Sequence, residues 1–438
     1  MKAKRKDSQE KLFLMRLDQI LNRRHPLYQL ADTIEWESFD EAFGKYYSET
    51  QGRPAKSTRL MVGLHYLKHT FDLSDEEVVS QWVENPYWQY FCGLDYFEHE
   101  FPIDPSLMTK WRARIKSEGL EKLLGETIKA GLRSKVIRES SFERINVDTT
   151  VQEKAITFPT DAKLYHRMRE KLVGLAIQED LKLRQTYRRK SKKSLMMQGR
   201  YSHARQMKRA QKEIRSLKVY LGRVVRDIER KIKGHSNLES LFSEPLNLAR
   251  RILSQQRHDS PKIYSIHAPE VECISKGKAH KKYEFGCKVS VATTSRDNFV
   301  IGVKAFHGNP YDGHTLHESV LQAERLAGFT ANEIFVDRGY RGHDYEGDGI
   351  VHVAKKGMKR LSASLRRWFK RRSAIEPIIG HMKNDGRLRR NYLLGEDGDQ
   401  INALLCGAGQ NLRKLLVAFL FFLFYKLFQM RFLAKDSV

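Results

Sequence analysis

The stretch EIFVDRGYRG, residues 333–342, places an aspartate directly after a short apolar run. Ile334, Phe335 and Val336 have the branched and aromatic character of a buried strand, and Asp337 follows them. Asp and Gly are also ordinary turn residues, so this stretch alone is compatible with a plain turn. The alternative is a catalytic carboxylate held at a strand end, and the remaining sequence has to distinguish the two.

A second strand-like run also leads into an aspartate. The stretch FERINVDTTVQEKAITF, residues 142–158, alternates and carries β-branched residues, which predicts a strand or hairpin containing Asp148. Glu376 is a third candidate, because it lies in a helical segment, residues 361–390, with nine Lys and Arg residues and two acidic ones. Taken singly, Asp148 fits a turn or cap and Glu376 a salt bridge. Their joint occurrence in the order strand, strand, helix on a basic chain favours one shared site.

Three carboxylates suit metal-assisted phosphoryl transfer. Two-metal sites hold divalent cations about 3.5–4 Å apart, where they clamp the attacking and leaving oxygens. Mg²⁺ prefers oxygen ligands, often one or two carboxylates with water and phosphate. Carboxylates clustered this closely repel one another unless a cation is present. The sequence therefore predicts a metal site, with the surrounding Lys and Arg residues on DNA phosphates.

The composition favours a polyanionic partner. The chain has 438 residues, 79 Lys and Arg against 53 Asp and Glu, and a formal net charge of +26. Such a balance is typical of nucleic-acid-binding proteins, although a basic protein without such a partner is the alternative. The charge does not determine the fold.

The remaining composition indicates a cytoplasmic, nucleoid-associated protein. Four widely spaced cysteines form no CxxC pair or zinc pattern, which fits a reducing compartment. The N-terminal MKAKRKDSQEK has no apolar core behind its charges and is not expected to be a signal peptide. The apolar run at 415–425 is shorter than the roughly 20 residues of a membrane span. We expect a buried helix or a dimer contact there.

Periodicity divides the chain into a helical and a mixed part. Residues 1–120 have helical apolar spacing, and Ser74 with Glu77 predicts a capping box. A helix-turn-helix and a plain helical packing domain are equally compatible with this part. Strand-like runs at 283–294, 298–306, 333–337 and 349–355 alternate with helical segments, one of which Asp312 is expected to cap. We predict an α/β fold with a mixed sheet. Residues 361–384 are a candidate for one long helix, in which Pro377 lies at a kink or a break.

A basic helical insertion interrupts the mixed part at about residues 161–258. Residues 163–235 hold 23 Lys and Arg against six acidic residues. Ile214, Leu217, Leu221, Val224 and Ile228 follow the spacing of a short coiled coil, which predicts a helical hairpin with one basic face. That face is either a solvated surface or a phosphate-binding one, and the excess of positive charge favours phosphate contact.

At these residues the sequence resembles the DDE transposases of bacterial insertion sequences, in particular the insertion-sequence-five family. The family signature Y-x2-R-x3-E-x6-K aligns with Phe369, Arg372, Glu376 and Lys383, so that Phe replaces Tyr. A second signature, Asp-x-Gly followed by an aromatic residue, matches DRGY at 337–340. The first aspartate of the family corresponds to Asp148 in NVDTT. Residues 25–36 and 104–112 are similar to the family's N-terminal domain.

The resemblance implies a ribonuclease-H-like catalytic core in which Asp148, Asp337 and Glu376 bind two Mg²⁺ or Mn²⁺ ions. It implies that Arg372 and Lys383 contact DNA. We expect Arg338, Tyr340 and Arg387 to be DNA-binding residues as well. The expected division is a helical DNA-binding domain (1–135), a catalytic domain (136–400) with the insertion, and a C-terminal helical tail (401–438).

The implied reaction has two steps on double-stranded DNA. Water cuts one strand at the element's end, and the freed 3′-OH then attacks target DNA, both as in-line displacements. The N-terminal helices and the insertion would read the terminal inverted repeats, and a homodimer would hold two ends in a synaptic complex without a membrane. Two alternatives remain open from sequence: a repurposed DNA-binding protein without catalysis, and a ribonuclease-H-like nuclease without strand transfer.

Overall fold

The computed structural model describes residues 15–48, 50–275, 281–355 and 361–433, with the side chains of the last helix as far as Phe421. The described residues form two compact units. Unit 1 comprises those of Met1–Glu153 and Cys287–Val438, and unit 2 comprises those of Lys154–Gly286. Described residues of the expected N-terminal, catalytic and tail domains all contribute to unit 1, and the boundaries between those domains stay a prediction.

Unit 1 begins with helices, as their apolar spacing predicts. They are α1 (Leu17–Ile20), α2 (Pro26–Thr33), α3 (Glu37–Gly44), α4 (Thr58–Thr70), α5 (Asp75–Glu84), α6 (Pro86–Phe91) and α7 (Ser106–Arg133). The predicted capping box opens α5: the Ser74 hydroxyl accepts from the Glu77 amide at 3.0 Å, and the Glu77 carboxylate accepts from the Ser74 amide at 2.7 Å. Pro86 then begins α6, where its missing N–H is not needed.

The strands of the chain are β1 (Arg144–Glu153), β2 (Glu272–Ser275), β3 (Tyr283–Thr294), β4 (Val300–Phe306), β5 (Glu333–Val336) and β6 (Ile350–Val353). Within unit 1 the order is β4-β3-β1-β5-β6. β3 and β4 are antiparallel, whereas β5 runs parallel to both β1 and β6. The sheet is therefore mixed, as predicted. Sequence analysis missed only β2, which pairs with the first residues of β3 in unit 2.

The second half of unit 1 contributes α12 (Leu316–Ala327), α13 (Ala363–Arg372), α14 (Ile375–Asn384) and α15 (Gly395–Leu433). The helical segment predicted over 361–384 is interrupted, and the break lies a few residues before Pro377 rather than at it. The chain breaks at Ser373 and Ala374, so Pro377 falls in the first turn of α14, where no intrahelical N–H bond is lost. Asp312 does not cap a helix, because it begins a short 3₁₀ turn, Asp312–Thr315, ahead of α12.

Helix α15 is part of the unit 1 core rather than a separate tail. Leu404, Leu412 and Leu415 are buried, and the Asn411 amide donates to the Val300 carbonyl at 2.7 Å and to the Thr127 hydroxyl at 3.0 Å. Among the described residues this helix, over Gly395–Phe421, has the length and hydropathy of a membrane span, but 56% of that window is buried inside the protein. Within the 415–425 run, Leu415 and Phe419 are buried, whereas Val417, Leu420 and Phe421 are exposed. The expected buried helix therefore holds for one face only as far as Phe421, the expected dimer contact stays a prediction, and the side chains after Phe421 lie outside the described residues.

The described residues of unit 2 form four helices: α8 (Asp161–Gln178), α9 (Arg188–His203), α10 (Met207–Ile232) and α11 (Ser236–Ser254). The predicted core residues of α10, Leu217, Leu221, Val224 and Ile228, are buried together with residues of α8 and α11. The insertion is therefore a small helical bundle rather than the expected hairpin, because a single hairpin partner would leave part of this apolar stripe exposed.

Candidate active site

Asp148 and Asp337 lie close together because their strands are neighbours. β1 and β5 pair in parallel with Ile145 opposite Ile334. The two strands therefore bring Asp148 and Asp337 to the same edge of the sheet. Each carboxylate is held by a nearby backbone amide. Asp148 Oδ1 accepts from Thr149 N at 2.8 Å, and Asp337 Oδ1 accepts from Gly339 N at 2.8 Å.

Arg372, the last residue of α13, joins the three predicted carboxylates. Its Nη2 lies 2.9 Å from Asp148 Oδ2 and 3.9 Å from Asp337 Oδ2, and its Nη1 lies 3.6 Å from Glu376 Oε1. Only 11% of the arginine side chain is exposed. Three acidic residues from distant parts of the chain thus surround one buried positive charge.

The site opens toward solvent on the side of Glu376. The exposed fraction of the side chain rises from 15% for Asp148 to 40% for Asp337 and 64% for Glu376. A half-open group of carboxylate oxygens fits Mg²⁺ or Mn²⁺, which bind oxygen donors and retain water and substrate ligands. The guanidinium of Arg372 shows that the site already accommodates a cation.

Tyr340 is a core residue rather than a DNA-binding one. The residue is fully buried, so the expected direct contact with DNA does not fit the structure. Burial, together with the nearby carboxylates Asp148, Asp312 and Asp337, raises the pKa of its hydroxyl well above the ordinary value. Tyr340 is therefore a buried core residue that lies close to the acidic residues.

Phe369, which replaces the tyrosine of the family signature, packs α13 onto the sheet. Its ring is buried and meets Phe335 edge-on, with 5.5 Å between the ring centroids. Phe335 lies two residues before Asp337, and Arg372 follows Phe369 by one helical turn. This contact therefore sets the position of the arginine relative to the second aspartate without using a hydroxyl group.

The other residues grouped as DNA-binding lie in different surroundings. Arg338 is exposed beside Asp337, and Lys383 is half-buried on α14. Arg387 lies deeper: its guanidinium donates to the Asp72 carbonyl at 3.3 Å and lies over the Tyr392 ring. Arg387 thus links the segment after α14 to the N-terminal helices, whereas Arg338 is the most exposed of these three cations.

Sequence analysis missed two polar residues beside the acidic group. Asp312 Oδ1 accepts from the Thr149 hydroxyl at 2.9 Å and from Lys288 Nζ at 2.8 Å. Lys288 lies in β3 and is buried, although an alternating strand pattern on a basic chain gives no reason to select one lysine. The position of Asp312 before a helix favoured a cap, and only the fold shows that it faces β1.

Each unit also carries an arginine-lined cavity. In unit 1, a cavity of about 370 Å³ is lined by Arg144, Arg296, Arg367, Trp368 and Arg371. The guanidinium groups of Arg144 and Arg371 lie over the Trp368 ring. In unit 2, a cavity of about 940 Å³ lies along α10. Its basic lining residues are Arg184, Arg223, Arg226, Arg230 and Lys233. Clustered arginines of this kind suit phosphate groups, which they can bind in a bidentate manner.

Two stretches of the chain match known protein families. Residues 15–114 match a family described as Transposase domain (DUF772), and residues 255–412 match the family described as Transposase DDE domain. The chain belongs to the DDE transposases. It is an enzyme of this class, and the transposases of this family depend on divalent metal ions.

The matched stretches contain two of the three acidic residues of this transposase. Asp337 and Glu376 lie within 255–412, whereas Asp148 lies between the two matches. The place of Asp148 in the site therefore rests on its contact with Arg372. A relative named "Uncharacterized protein ORF8 in nfe locus", from Rhizobium meliloti, is 56% identical over 195 residues, which cover 44% of this chain and 94% of that protein. No solved structure matches the chain.

Proposed function

We propose that this transposase belongs to the insertion-sequence-five group, binds the terminal inverted repeats of its element, cuts the DNA at the element ends and joins the 3′-OH to target DNA. The observation that carries the proposal is the convergence of Asp148, Asp337 and Glu376 on Arg372. Acidic residues this close together without a second function would only destabilise the fold.

The sheet supports a ribonuclease-H-like core. Its order β4-β3-β1-β5-β6 combines an antiparallel pair at one side with parallel strands at the other. Of these five strands, β1 is the first along the chain and β5 is the fourth, and the two lie side by side in the sheet. Asp148 lies in β1, and Asp337 directly follows β5. This is the arrangement that the sequence resemblance implies.

The three carboxylates would hold two Mg²⁺ or Mn²⁺ ions. When bound, these cations activate the attacking oxygen and stabilise the leaving oxygen of an in-line displacement at phosphorus. Asp148 and Asp337 would contribute oxygens from carboxylates that amide hydrogen bonds hold in place, whereas the more exposed Glu376 would contribute an oxygen from α14 at the open side of the site.

Arg372 would balance the carboxylate charge before the cations bind and contact the DNA afterwards. A guanidinium binds two phosphate oxygens at once, which orients the scissile group as well as attracting it.

DNA contacts beyond the scissile phosphate would come from the basic surfaces. Arg338 and Lys383 are the proposed neighbours of the reacting strand, and the arginine-lined cavity of unit 2 is the proposed phosphate site of the inverted repeat. The N-terminal helices would take part in reading the repeat. We place the enzyme in the cytoplasm on the nucleoid, as a homodimer that holds two element ends.

A gel assay with labelled DNA carrying the element's own ends tests this proposal. The wild-type protein is compared with Asp337→Asn, which keeps the shape of the side chain and removes its charge, with and without Mg²⁺. The matched control is Asp344→Asn, a neighbouring exposed acid outside the site. We expect Mg²⁺-dependent cutting and joining by the wild type and the control, and DNA binding without chemistry by Asp337→Asn.

Each other outcome selects a different function. Binding without cutting by all three proteins would indicate a repurposed DNA-binding protein. Cutting without joining would indicate a nuclease. Cutting by Asp337→Asn at the wild-type rate would show that the second aspartate is assigned wrongly.

A further inference from the structure

Asp312 lies beside the acidic site but is not one of its three signature residues. It begins the 3₁₀ turn between β4 and α12, and 31% of its side chain is exposed. One oxygen, Oδ1, accepts from both Lys288 Nζ at 2.8 Å and the Thr149 hydroxyl at 2.9 Å. Three segments that are distant in sequence therefore meet at one carboxylate oxygen.

The contact with Thr149 leads directly to the first catalytic aspartate. Thr149 N donates to Asp148 Oδ1 at 2.8 Å, while the Thr149 hydroxyl donates to Asp312. Threonine has two heavy atoms on Cβ and is restricted at χ1, so fixing its hydroxyl also fixes its orientation on the strand. Asp312 thereby restrains the residue whose amide holds Asp148.

The other oxygen of Asp312 faces the turn that carries Asp337. A Cβ atom at Gly339 would lie 2.9 Å from Asp337 Oδ1 and 3.1 Å from Asp312 Oδ2, so both carboxylates approach the same side of this glycine. The two turns are also joined by the Tyr311 hydroxyl, which donates to the Arg341 carbonyl at 2.6 Å. Asp312 is thus packed against the second aspartate's turn while it is bonded to the first aspartate's neighbour.

Lys288 explains how another carboxylate is tolerated here. Its side chain is 9% exposed and also donates to the Pro310 carbonyl, so the ammonium group is held in place between its partners. A partly buried acid next to Asp148 and Asp337 would otherwise add repulsion to the site. The paired lysine cancels that charge, and the carboxylate can serve as a structural acceptor.

We propose that Asp312, neutralised by Lys288, is a positioning residue of the catalytic centre: through Thr149 and the Gly339 turn it holds Asp148 and Asp337 in the geometry that binds the divalent cations. This rests on the proposed function, since it takes Asp148 and Asp337 as the metal-binding aspartates. Residues that orient metal ligands in this way typically change metal affinity by 10–100-fold when removed.

The test measures Mn²⁺ binding to the full-length protein without DNA, by calorimetry or by electron paramagnetic resonance of the free ion. The variants are Asp312→Ala, Thr149→Val and the double variant, with the exposed Asp344→Asn as the unchanged control. Thr149→Val leaves the Lys288–Asp312 pair intact. If Asp312→Ala does not fold, Thr149→Val therefore still shows whether the contact between Thr149 and Asp312 affects Mn²⁺ binding. Strand-transfer kinetics and thermal unfolding are measured in parallel.

We expect each single variant to bind Mn²⁺ at least about tenfold more weakly and to lose kcat rather than raise the KM for DNA. The double variant should lose no more than the worse single one, because the two residues act in series. Thr149→Ser, which keeps the hydroxyl, should recover most of the affinity lost in Thr149→Val.

Unchanged Mn²⁺ affinity in folded Thr149→Val, or an equal loss in Thr149→Ser, would overturn the positioning role. Asp337→Asn separates this failure from that of the proposed function. If Asp337→Asn abolishes Mn²⁺ binding while Thr149→Val and Asp312→Ala do not weaken it, only the positioning role is wrong. If Asp337→Asn binds Mn²⁺ like the wild type, the metal site itself is misassigned and both proposals fail.

Discussion

The guanidinium of Arg372 lies 2.9 Å from the carboxylate of Asp148, although 224 residues separate them in the chain. The same nitrogen also faces Asp337, and its neighbour faces Glu376. An arginine among three acids does two things: it lowers the repulsion between them, and it keeps them at a spacing that cations can use. The three acidic residues of the proposed metal site are therefore held together by a positive charge of the protein itself.

Replacing Arg372 with methionine is expected to destabilise the metal-free protein. The substitution keeps much of the apolar stem but leaves Asp148 largely buried without its counter-charge, which costs about 3–5 kcal/mol in comparable buried pairs. Mn²⁺ or Mg²⁺ should then raise the melting temperature of the variant more than that of the wild type. Thermal unfolding with and without the cation measures both effects.

The exposed neighbour Arg338 provides the control for this substitution. Arg338→Met removes a charge of the same kind close to Asp337, but outside the group of three carboxylates. Its unfolding should change little, since exposed charges contribute roughly 0–1 kcal/mol. Equal melting temperatures for Arg372→Met and the wild type without metal would contradict the role assigned to Arg372.

Glu376→Gln is expected to reduce cutting and joining by roughly 100-fold or more while leaving DNA binding intact. Removing a residue that only orients a metal ligand typically costs about 10–100-fold in activity, and loss of a proposed metal ligand such as Glu376 should cost at least as much. The side chain is exposed and makes one long contact with Arg372, so the fold should tolerate the change. The assay is strand transfer on labelled element ends, with gel shift as the binding control. Asp385→Asn, another exposed acid at the end of α14, should retain activity. Loss of activity in both variants alike would point to a general charge effect.

Acidification is expected to destabilise unit 1 through His65. Burial, and then the charge of Arg112, lower the pKa of His65 to about 3 from its ordinary 6.5. In the unfolded chain, His65 therefore takes up a proton below about pH 6.5, whereas in the folded protein it remains neutral down to about pH 3. Stability is complete above this window and falls as pH decreases through it, by up to about 1.4 kcal/mol per pH unit.

His65→Gln tests this prediction, because the amide can still accept the Arg112 hydrogen bond that reaches His65 Nε2 at 3.3 Å. Melting temperatures between pH 4.5 and 7.5 should fall less steeply for the variant than for the wild type. Some slope should remain, since burial also lowers the pKa of His69. The exposed His99→Gln is the control, and identical slopes for all three proteins would exclude His65 as the titrating group.

The arginine-lined cavity of unit 2 should control the salt dependence of DNA binding. If Arg223 contacts a phosphate, Arg223→Gln should lower the slope of log affinity against log salt by about 0.9 for duplex DNA. Arg257→Gln removes one charge from an exposed position outside the cavity and is the matched control. Fluorescence anisotropy at several salt concentrations gives the slopes. Equal slopes for Arg223→Gln and the wild type would move the DNA contact elsewhere.

The strands were predictable because their signals are local, and the assignment of the three acidic residues as metal ligands stays a prediction. An apolar run of β-branched and aromatic residues predicts a buried strand wherever it occurs, and β3 and β5 follow their predicted bounds closely. The helix break before Pro377 was misplaced by a few residues, since proline favours the first turn of a helix as well as a kink. The four-residue strand β2 was missed, because so short a run has no clear period.

The sequence by itself determined which residues could bind a metal, how the strands are spaced and that the surface is strongly basic, since these depend on residue type and on neighbours along the chain. The tertiary structure alone decided that Arg372 lies among the acids, that Asp312 faces Thr149 instead of capping a helix, that Tyr340 is buried, and that α15 belongs to the core. These relationships join residues from distant segments. Sheet register and helix packing bring such segments together, and no local pattern encodes which side chains then meet.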